Sequence, residues 1–308
     1  MKKPQPVIQV GENVEDGAAI EWSDMIISTQ GAQAGAILIQ YNLATRSGTP
    51  SAIWDVHTRI GGFAGSQLQL ADCPTTPTVQ TPPAPINANC IAAFMSMHVT
   101  ASAANLYLEN IWLWTADHDI DSANNIQIIV YTGRGLLIES EQGTIWLWGT
   151  AVEHHVLYQY QLSGTQNIFM GQIQTETPYY QPNPDATIPF PAVKSLQDPD
   201  FVASCTGVAG NCADAWGLRI LDSQDILTYG AGLYSFFNNY STSCSDFGAG
   251  ETCQARIFDL EGRRTESVWV YNLNTIGAVS MIDRDGRSLA NSADNIDWFP
   301  DTIALFHT

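Results

Sequence analysis

The 308-residue sequence has little charge, and very little positive charge. Charged residues make up 14% of the chain, and 12 Lys and Arg are set against 31 Asp and Glu, which gives a formal net charge of −19. Proteins that bind nucleic acid need clustered Lys and Arg to displace counterions from phosphates. This composition therefore excludes nucleic acid and other polyanions as partners and favours a neutral ligand.

Three further signals are missing. No apolar run approaches the roughly 18 residues that can span a membrane, so no membrane partner is expected. The first 13 residues, MKKPQPVIQVGEN, lack the apolar core of a signal peptide. No G-x-S-x-G elbow suggests a serine nucleophile. Because low charge density and loop cysteines are nevertheless typical of exported proteins, we expect an extracellular protein whose chain here begins partway through a longer one.

The six cysteines occur as three close pairs, each within sequence rich in Pro, Gly, Ser or Thr. Of the fifteen possible connectivities we expect the three local ones, with buried free thiols as the alternative. The expected disulfides are Cys73–Cys90, Cys205–Cys212 and Cys244–Cys253. No C-x-x-C motif or nearby His completes a zinc site. The sequon Asn239-Tyr240-Ser241 is consistent with secretion.

Gly, Pro and Trp are abundant, with 24, 15 and 9 residues, and short apolar runs alternate with turn-forming clusters. Five segments share one pattern, a small polar residue followed by a β-branched or apolar residue and then alternation. Such a stack predicts an all-β fold, a single-stranded right-handed parallel β-helix with long loops. A β-sandwich is the alternative. A long loop is expected between Asp72 and Asn89. The five segments are Asn110–Trp114, Thr144–Trp148, Asn167–Gly171, Asp225–Tyr229 and Ser267–Tyr271.

In these segments the Ile, Leu and Val positions are predicted to face inward and the aromatic positions outward. An outward ladder of aromatic rings would form a larger apolar surface than a soluble monomer normally exposes. Trp148, Tyr179 and Tyr180 are candidates for stacking on sugar rings, with packing against a neighbouring layer as the alternative.

Extending the common register by eight residues from each β-branched position gives acids in three successive segments, Asp119, Glu153 and Glu176. Glu153 and Glu176 are 23 residues apart, a spacing typical of one coil, which would separate their backbones by roughly 4.8 Å. Glycosidases use paired carboxylates, roughly 5 Å apart in retaining enzymes and roughly 6.5–9.5 Å apart in inverting ones. The alternative is a solvated loop edge on which the charges coincide.

His154 follows Glu153 directly and is a further candidate for the site. A metal site in the stretch Asp117–Asp121 is conceivable, but DHDID matches no EF-hand spacing, so no metal and no cofactor are predicted.

Several long strings of this sequence resemble glycoside hydrolase family 55, the exo-acting β-1,3-glucanases found chiefly in filamentous fungi. The resemblance runs from about Trp22 to the end of the chain. It is carried by WDVHTRIGGFAG (54–65), YLENIWLWTADHDID (107–121), YTGRGLLIES (131–140), GTAVEHHVLYQY (149–160), MGQIQTETPYYQPNP (170–184), and the later strings WGLRI and YGAGLYSFFNNYS.

The resemblance implies two tandem β-helices with the active-site cleft between them, and release of glucose from the non-reducing end of β-1,3-glucan with inversion. By matching motif, Glu176 in QTETPYY corresponds to the general acid. Glu153 in VEHHVLYQY corresponds to the carboxylate that positions or activates water, and Tyr179 to a wall of the glucose pocket.

One departure from the family pattern concerns the first β-helix, which these 308 residues are not expected to include. Residues 1–308 are therefore expected to form one β-helix domain, equivalent to the second half of the enzyme, with an N-terminal β-helix as its partner. Two alternatives remain: a non-catalytic glucan-binding or truncated inactive domain, and a polysaccharide lyase, whose need for cations and basic residues the charge of −19 opposes.

Overall fold

The computed structural model describes residues 3–12, 17–46, 48–76, 85–248 and 250–308, which are almost entirely β-strand and loop. Alternating apolar and polar residues give short strands with one buried face. The strands are β1 Gln5–Val10, β2 Glu21–Ile27, β3 Ala36–Tyr41, β4 Ser51–Ile60, β5 Ile91–Val99, β6 Leu106–Glu109, β7 Trp112–Thr115, β8 Tyr131–Ile138, β9 Ile145–Trp148, β10 Ala151–Glu153, β11 Tyr158–Ser163, β12 Gln166–Glu176, β13 Trp216–Leu221, β14 Gln224–Tyr234, β15 Gln254–Arg256, β16 Phe258–Glu261, β17 Glu266–Ile276, β18 Ala278–Arg284, β19 Arg287–Asn291 and β20 Asp301–His307.

Helical structure is limited to short pieces. The α-helix α1 covers Phe201–Ser204, and 3₁₀ turns cover Ala88–Cys90, Lys194–Leu196 and Ser292–Asp294. Within the described part of the chain, no helix has the length and apolar character needed to cross a membrane.

The strands form two parallel sheets that the chain visits in turn, coil after coil. In the first sheet the order is β1-β3-β5-β8-β11-β13-β16-β18, with β15 pairing on β18. In the second sheet β4 pairs with β6 along its first half and with β7 along its second half, and β9 and β10 pair in the same way with β12. β14 and β17 follow in parallel, and β20 closes this sheet antiparallel to β17. The predicted parallel β-helix is confirmed.

Each coil of the second sheet bends at one residue, which divides the sheet into two faces. The bend residues adopt left-handed backbone conformations, which Gly tolerates and Asn and Asp adopt more readily than other residues. Gln172, with φ 54°, is one of them. It lies opposite Gly149 on one neighbouring coil and opposite Gly230 on the other. The bend residues in successive coils are Asp24, Asp55, Asn110, Gly149, Gln172, Gly230 and Asn272.

The interior is filled by the rows predicted to face inward. Ile145, Leu147, Ile168 and Met170 are at most 1% exposed, and their burial stabilises each coil against its neighbours by the hydrophobic effect. Ile168 pairs directly with Ile226, so the long sequence intervals contain loops and no extra coils.

The register predicted for the first segment is wrong. Leu106, and not Ile111, pairs with Ile145, because Asn110 is a bend residue and the IWLW string after it lies on the next face. The same four letters therefore occupy different faces in adjacent coils.

The two edges of the second sheet differ in the length of their connections. The connection from β11 to β12 has two residues, as does that from β13 to β14. At the other edge, the loops 61–90, 177–215 and 235–253 follow β4, β12 and β14. We call this the loop edge. Residues 77–84 of the loop expected between Asp72 and Asn89 lie outside the described residues.

The loop edge contains all three predicted disulfides, Cys73–Cys90, Cys205–Cys212 and Cys244–Cys253, and the predicted pairing is confirmed. A buried ion pair also ties the 177–215 loop to β8. Arg134 Nε donates to Asp198 Oδ1 over 2.9 Å, and neither side chain is exposed. These crosslinks hold long loops over the ends of the strands.

Candidate active site

Glu153 and Glu176 are the last residues of β10 and β12, and they pair directly across adjacent strands at the loop edge. The same register continues to Tyr234 and Ile276 on β14 and β17. The predicted alignment of Glu153 with Glu176 is therefore correct. Adjacent strands place the two carboxylates on neighbouring coils, roughly 4.8 Å apart at the backbone.

Glu153 is the more buried carboxylate, with 8% of the residue exposed. Trp112 Nε1 donates a hydrogen bond to its Oε2 over 3.0 Å. Burial raises the pKa of Glu153 to about 6, against the opposing effects of the nearby His154 cation and the Trp112 hydrogen bond. Glu153 can therefore hold or release a proton in mildly acidic solution.

Glu176 is more accessible, with 27% of its side chain exposed. Gln174, two residues earlier on the same strand face, donates from Nε2 to Glu176 Oε1 over 3.2 Å. His154 Nε2 lies 3.4 Å from Glu176 Oε2, an ion-pair distance that is long for a hydrogen bond. Glu176 is thus a solvent-reachable carboxylate held by an amide and a cation.

His154 links the two acids through its backbone and its ring. Its left-handed backbone, with φ 67°, lets its N–H donate to the Glu176 carbonyl over 2.8 Å. Its Nδ1 lies 3.0 Å from the carbonyl oxygen of Thr115 and donates to it. Burial alone would lower the pKa of His154, but Glu176, Asp117 and Glu153 together raise it to about 9. The ring is therefore an imidazolium at neutral pH, next to two carboxylates.

His155 behaves in the opposite way, although it is the next residue. Complete burial lowers its pKa to about 3. Its ring bonds Ser96 Oγ at 2.7 Å and Gln159 Oε1 at 3.1 Å. It is a neutral structural residue that faces the first sheet.

Tyr234 lies beside Glu176 in the register, and its ring folds over Gly232. A Cβ at Gly232 would come within 2.5 Å of the Tyr234 hydroxyl, so only glycine leaves room for this ring position. Burial raises the pKa of Tyr234, and the nearby Glu176 raises it further. A neutral phenol therefore borders the exposed carboxylate.

Tyr179 and Tyr180 do not line a pocket, which corrects their prediction as sugar-contacting residues. Both are 0% exposed. The Tyr179 ring packs edge-on against His154 with centroids 5.6 Å apart, and its hydroxyl donates to the Ile128 carbonyl. Tyr180 packs edge-on against Tyr179, so only Tyr179 contacts the His154 ring directly.

The prediction that Asp119 is aligned with Glu153 is wrong. The residue that pairs with Glu153 on the preceding coil is Trp114. Asp119 is 5% exposed and accepts hydrogen bonds from the backbone N–H groups of Leu70 and Asp121, each over 3.1 Å. Burial would raise its pKa, but these bonds and one from Gln69 outweigh burial and lower the pKa. It joins two loops.

Trp148 is 47% exposed and lies before the bend at Gly149, on the neighbouring face and not on the face of the acids. It stacks on Phe169 with centroids 6.1 Å apart and planes at 8°. We call the outward rings Trp148, Phe169, Tyr229 and Tyr271 the aromatic ladder. Successive rings of the ladder are 6.1, 6.1 and 4.6 Å apart.

The sequence reasoning missed Trp112, Gln174, Asp117 and Tyr234 at the site. Gln174 could have been found, because residues two apart on a strand share a face. Trp112 was hidden by the register error in the first segment. Asp117 pairs with His118 at 2.7 Å and raises the pKa of His154, a contact between elements that no local pattern shows.

Among the described residues, no group of three or more His, Cys, Asp or Glu side chains is arranged to hold a metal ion. The arrangement therefore offers general acid and base chemistry by a buried and an exposed carboxyl group on neighbouring coils.

The fold and these side chains define a parallel β-helix protein with paired carboxylates at its loop edge. Comparison with known proteins narrows this class. No family model matches the chain. The chain is 46% identical over 303 residues to a glucan 1,3-beta-glucosidase of Cochliobolus carbonum, covering 97% of this chain and 36% of the relative. It is 45% identical over 307 residues to a probable glucan endo-1,3-beta-glucosidase of Arthroderma benhamiae, covering 100% and 33%.

A third relative, named non-secreted LysM effector LysM15 of Penicillium expansum, is 40% identical over 98% of this chain and 19% of its own length. Among solved structures, sacteLam55A from Streptomyces sp. SirexAA-E matches 97% of this chain and 43% of that chain with a TM-score of 0.56. At 16% identity this similarity shows the fold alone.

These relatives confirm the resemblance of the chain to glycoside hydrolase family 55, the β-1,3-glucanase family that its motifs indicate. It spans about a third of the length of the two glucosidase relatives.

Proposed function

We propose that the chain provides the two carboxylates with which a family 55 enzyme hydrolyses β-1,3-glucan, releasing glucose from the non-reducing end with inversion. The observation that carries this proposal is the direct pairing of Glu153 and Glu176 at the loop edge. Paired carboxylates are the groups that glycosidases use. The names of the relatives support the substrate, and a variant of sacteLam55A was solved in complex with glucose.

In the proposed mechanism Glu176 donates a proton to the leaving glycosidic oxygen, and ionised Glu153 supports the attacking water. Accessibility favours this division of roles, since a glycosidic oxygen can reach Glu176 with 27% of its side chain exposed. Glu153 accepts a hydrogen bond from Trp112 and is only 8% exposed, so only a small molecule such as water can reach it. General acid and base catalysis together account for the reaction without a cofactor.

In the chain without substrate, burial makes Glu153 the carboxyl that holds its proton up to a pH of about 6. The proposed roles require the proton to reside on Glu176 when sugar is bound. Ionised Glu153 then remains next to the imidazolium of His154.

The roles can be separated with laminarin and an aryl β-glucoside whose leaving group needs no proton. We expect Glu176→Gln to lose turnover on laminarin but to retain it on the aryl glucoside. Glu153→Gln should lose both, because the water is no longer activated. If instead Glu153→Gln alone is rescued by the aryl glucoside, the two roles are exchanged.

Product analysis tests the exo mode, since the relatives are named for both exo and endo enzymes. An exo enzyme releases glucose from the first minutes, whereas an endo enzyme releases a series of oligosaccharides.

We further propose that an N-terminal β-helix completes the cleft. Adding the N-terminal part of a family 55 relative should then raise glucose release by this chain.

A second candidate is glucan binding without hydrolysis, which the coverage of about a third of the relatives and the LysM effector relative favour. Retention on laminarin with no glucose release, even with the N-terminal part added, would support binding over catalysis.

We propose an extracellular location, because three disulfides persist in oxidising compartments. The name of the third relative, a non-secreted effector, opposes this. Cell fractionation of a tagged full-length protein tests it.

A further inference from the structure

Two loops at the loop edge expose aromatic rings that the proposed chemistry does not use. Phe247 is 73% exposed, and Trp298 and Phe299 are 79% and 59% exposed. The rings of Phe247 and Trp298 meet with centroids 5.6 Å apart. We call these three residues the loop platform.

The loop platform lies along the same strand order as the acid pair. Phe247 lies in the loop that follows β14, whose last residue Tyr234 pairs with Glu176. Trp298 precedes β20, whose first residue Asp301 pairs with Thr275 at the end of β17. From Glu176 the loop before β20 is three strands away, roughly 14 Å at one strand spacing per step. A short oligosaccharide spans such a distance.

Both loops are held in place before any ligand binds. The Cys244–Cys253 disulfide closes the first loop, and Ser245 Oγ donates to the Phe236 carbonyl over 2.8 Å. In the second loop, Ile296 pairs antiparallel with Asp301. Little conformational entropy is therefore lost when a ligand contacts the rings.

The chemistry around the rings favours a neutral ligand that has both C–H faces and hydroxyl groups. An exposed aspartate precedes each ring in sequence, Asp246 before Phe247 and Asp297 before Trp298. Aromatic faces take apolar surface, and carboxylates accept hydrogen bonds from hydroxyls. The net charge of −19 opposes a polyanionic or anionic lipid partner.

The aromatic ladder does not offer free ring faces of this kind. Its rings cover one another, with planes at 8° between Trp148 and Phe169 and at 4° between Tyr229 and Tyr271. The facing sides of these stacked pairs are occupied by the neighbouring ring and are not free for a sugar. The loop platform is exposed at the acid-pair end of the same sheet.

We propose that the loop platform binds the sugar residues of a β-1,3-glucan chain that lie several units away from the bond held between Glu153 and Glu176. The identity of the ligand rests on the proposed function. The platform would make the chain prefer long glucans over short ones.

The test is the affinity of the intact chain for a β-1,3-linked hexasaccharide and disaccharide, measured by calorimetry. Trp298→Ala should weaken hexasaccharide binding roughly 5- to 10-fold, the effect of losing one aromatic contact, and leave disaccharide binding unchanged. Trp269→Ala, at a 37% exposed tryptophan on the neighbouring face, is the matched control and should bind both as the unmodified chain does. Equal hexasaccharide affinity in Trp298→Ala and the unmodified chain would overturn the proposal.

Hexasaccharide binding that depends on Trp298 without any hydrolysis would support the platform and contradict the enzymatic proposal. Absence of any glucan binding by the unmodified chain would overturn both. Analytical sedimentation tests whether a second copy of this chain, and not a sugar, binds the loop platform. Self-association that Trp298→Ala abolishes, with hexasaccharide affinity retained, would show a protein contact in place of a sugar site. Phe247→Ala provides an independent variant and should act in the same direction as Trp298→Ala.

Discussion

The strands β12, β14 and β17 each contribute to two outward faces, one before the bend and one after it. Before the bend, Phe169, Tyr229 and Tyr271 form part of the aromatic ladder. After it, the equivalent outward positions include Glu176 and Tyr234. The backbone pairing is continuous through both faces, so the hydrogen-bond ladder is not the source of their difference.

The difference comes from the connections that border each face. The ladder lies next to short connections of two to six residues, and its rings stack on one another, which stabilises neighbouring coils. The acids lie at the opposite edge, where Glu176 precedes the long, crosslinked 177–215 loop and Glu153 precedes a four-residue connection. Glu153 and His154 are buried there, while Glu176 stays reachable. One face is therefore suited to stability and the other to chemistry, and substitutions on the two faces should separate these properties.

The largest expected effect is on turnover from the acid face. Glu176→Gln should reduce glucose release from laminarin roughly 10²- to 10⁴-fold, the usual contribution of a general acid. Phe169→Ala on the ladder is the matched variant and should leave turnover unchanged. Comparable losses in both variants would show that the faces are not functionally distinct.

The second effect is a gain in stability at the same face. Since the pKa of Glu153 in the folded chain, about 6, is above its ordinary 4.5, ionised Glu153 destabilises the fold above pH 6 and this cost disappears as the pH falls below 4.5. Glu153→Gln should therefore raise the free energy of unfolding by roughly 2 kcal/mol at pH 7.5 and by little at pH 4.

Urea unfolding at both pH values measures this difference. Glu176→Gln is the control and should show no such gain, because it removes the anionic partner of the His154 imidazolium. A Glu153→Gln variant that is less stable than the unmodified chain at pH 7.5 would contradict the inferred cost of burying this carboxylate.

The third effect is a loss of stability at the ladder. Phe169 contacts Trp148 on one side and Tyr229 on the other. Phe169→Ala should lower the free energy of unfolding by roughly 1–2 kcal/mol through lost ring contacts and burial. Urea unfolding at one pH measures it, and a change near zero would show that the stacked rings do not couple the coils.

The smallest effect concerns the border of the acid site. A Cβ at position 232 would lie 2.5 Å from the Tyr234 hydroxyl, and the ring can swing away. Gly232→Ala should change stability by less than about 1 kcal/mol and raise KM for laminarin. If the effect acts through the ring, adding Gly232→Ala to Tyr234→Ala should change KM no further, whereas an additive change would point to a different cause.

Much of this molecule is set by local sequence patterns. Alternation identified the inward rows, because a strand exposes its side chains to opposite faces in turn. Close cysteines in turn-rich sequence gave the disulfide pairs, and a 23-residue coil brought Glu153 and Glu176 to equivalent positions. The inward rows, the disulfide pairs and the alignment of the two acids all depend on residues that are near one another in the chain.

Tertiary structure decided the remaining features. The identical IWLW strings lie on different faces, because pairing with neighbouring strands sets the register. Tyr179 is buried against His154 and Tyr180 is buried against Tyr179, and Asp119 joins two loops. Burial and electrostatic effects depend on groups far apart in sequence. The sequence alone therefore determined where the two acids lie along the strands, and only the tertiary contacts, such as that between Trp112 and Glu153, decided which acid is buried and which is exposed.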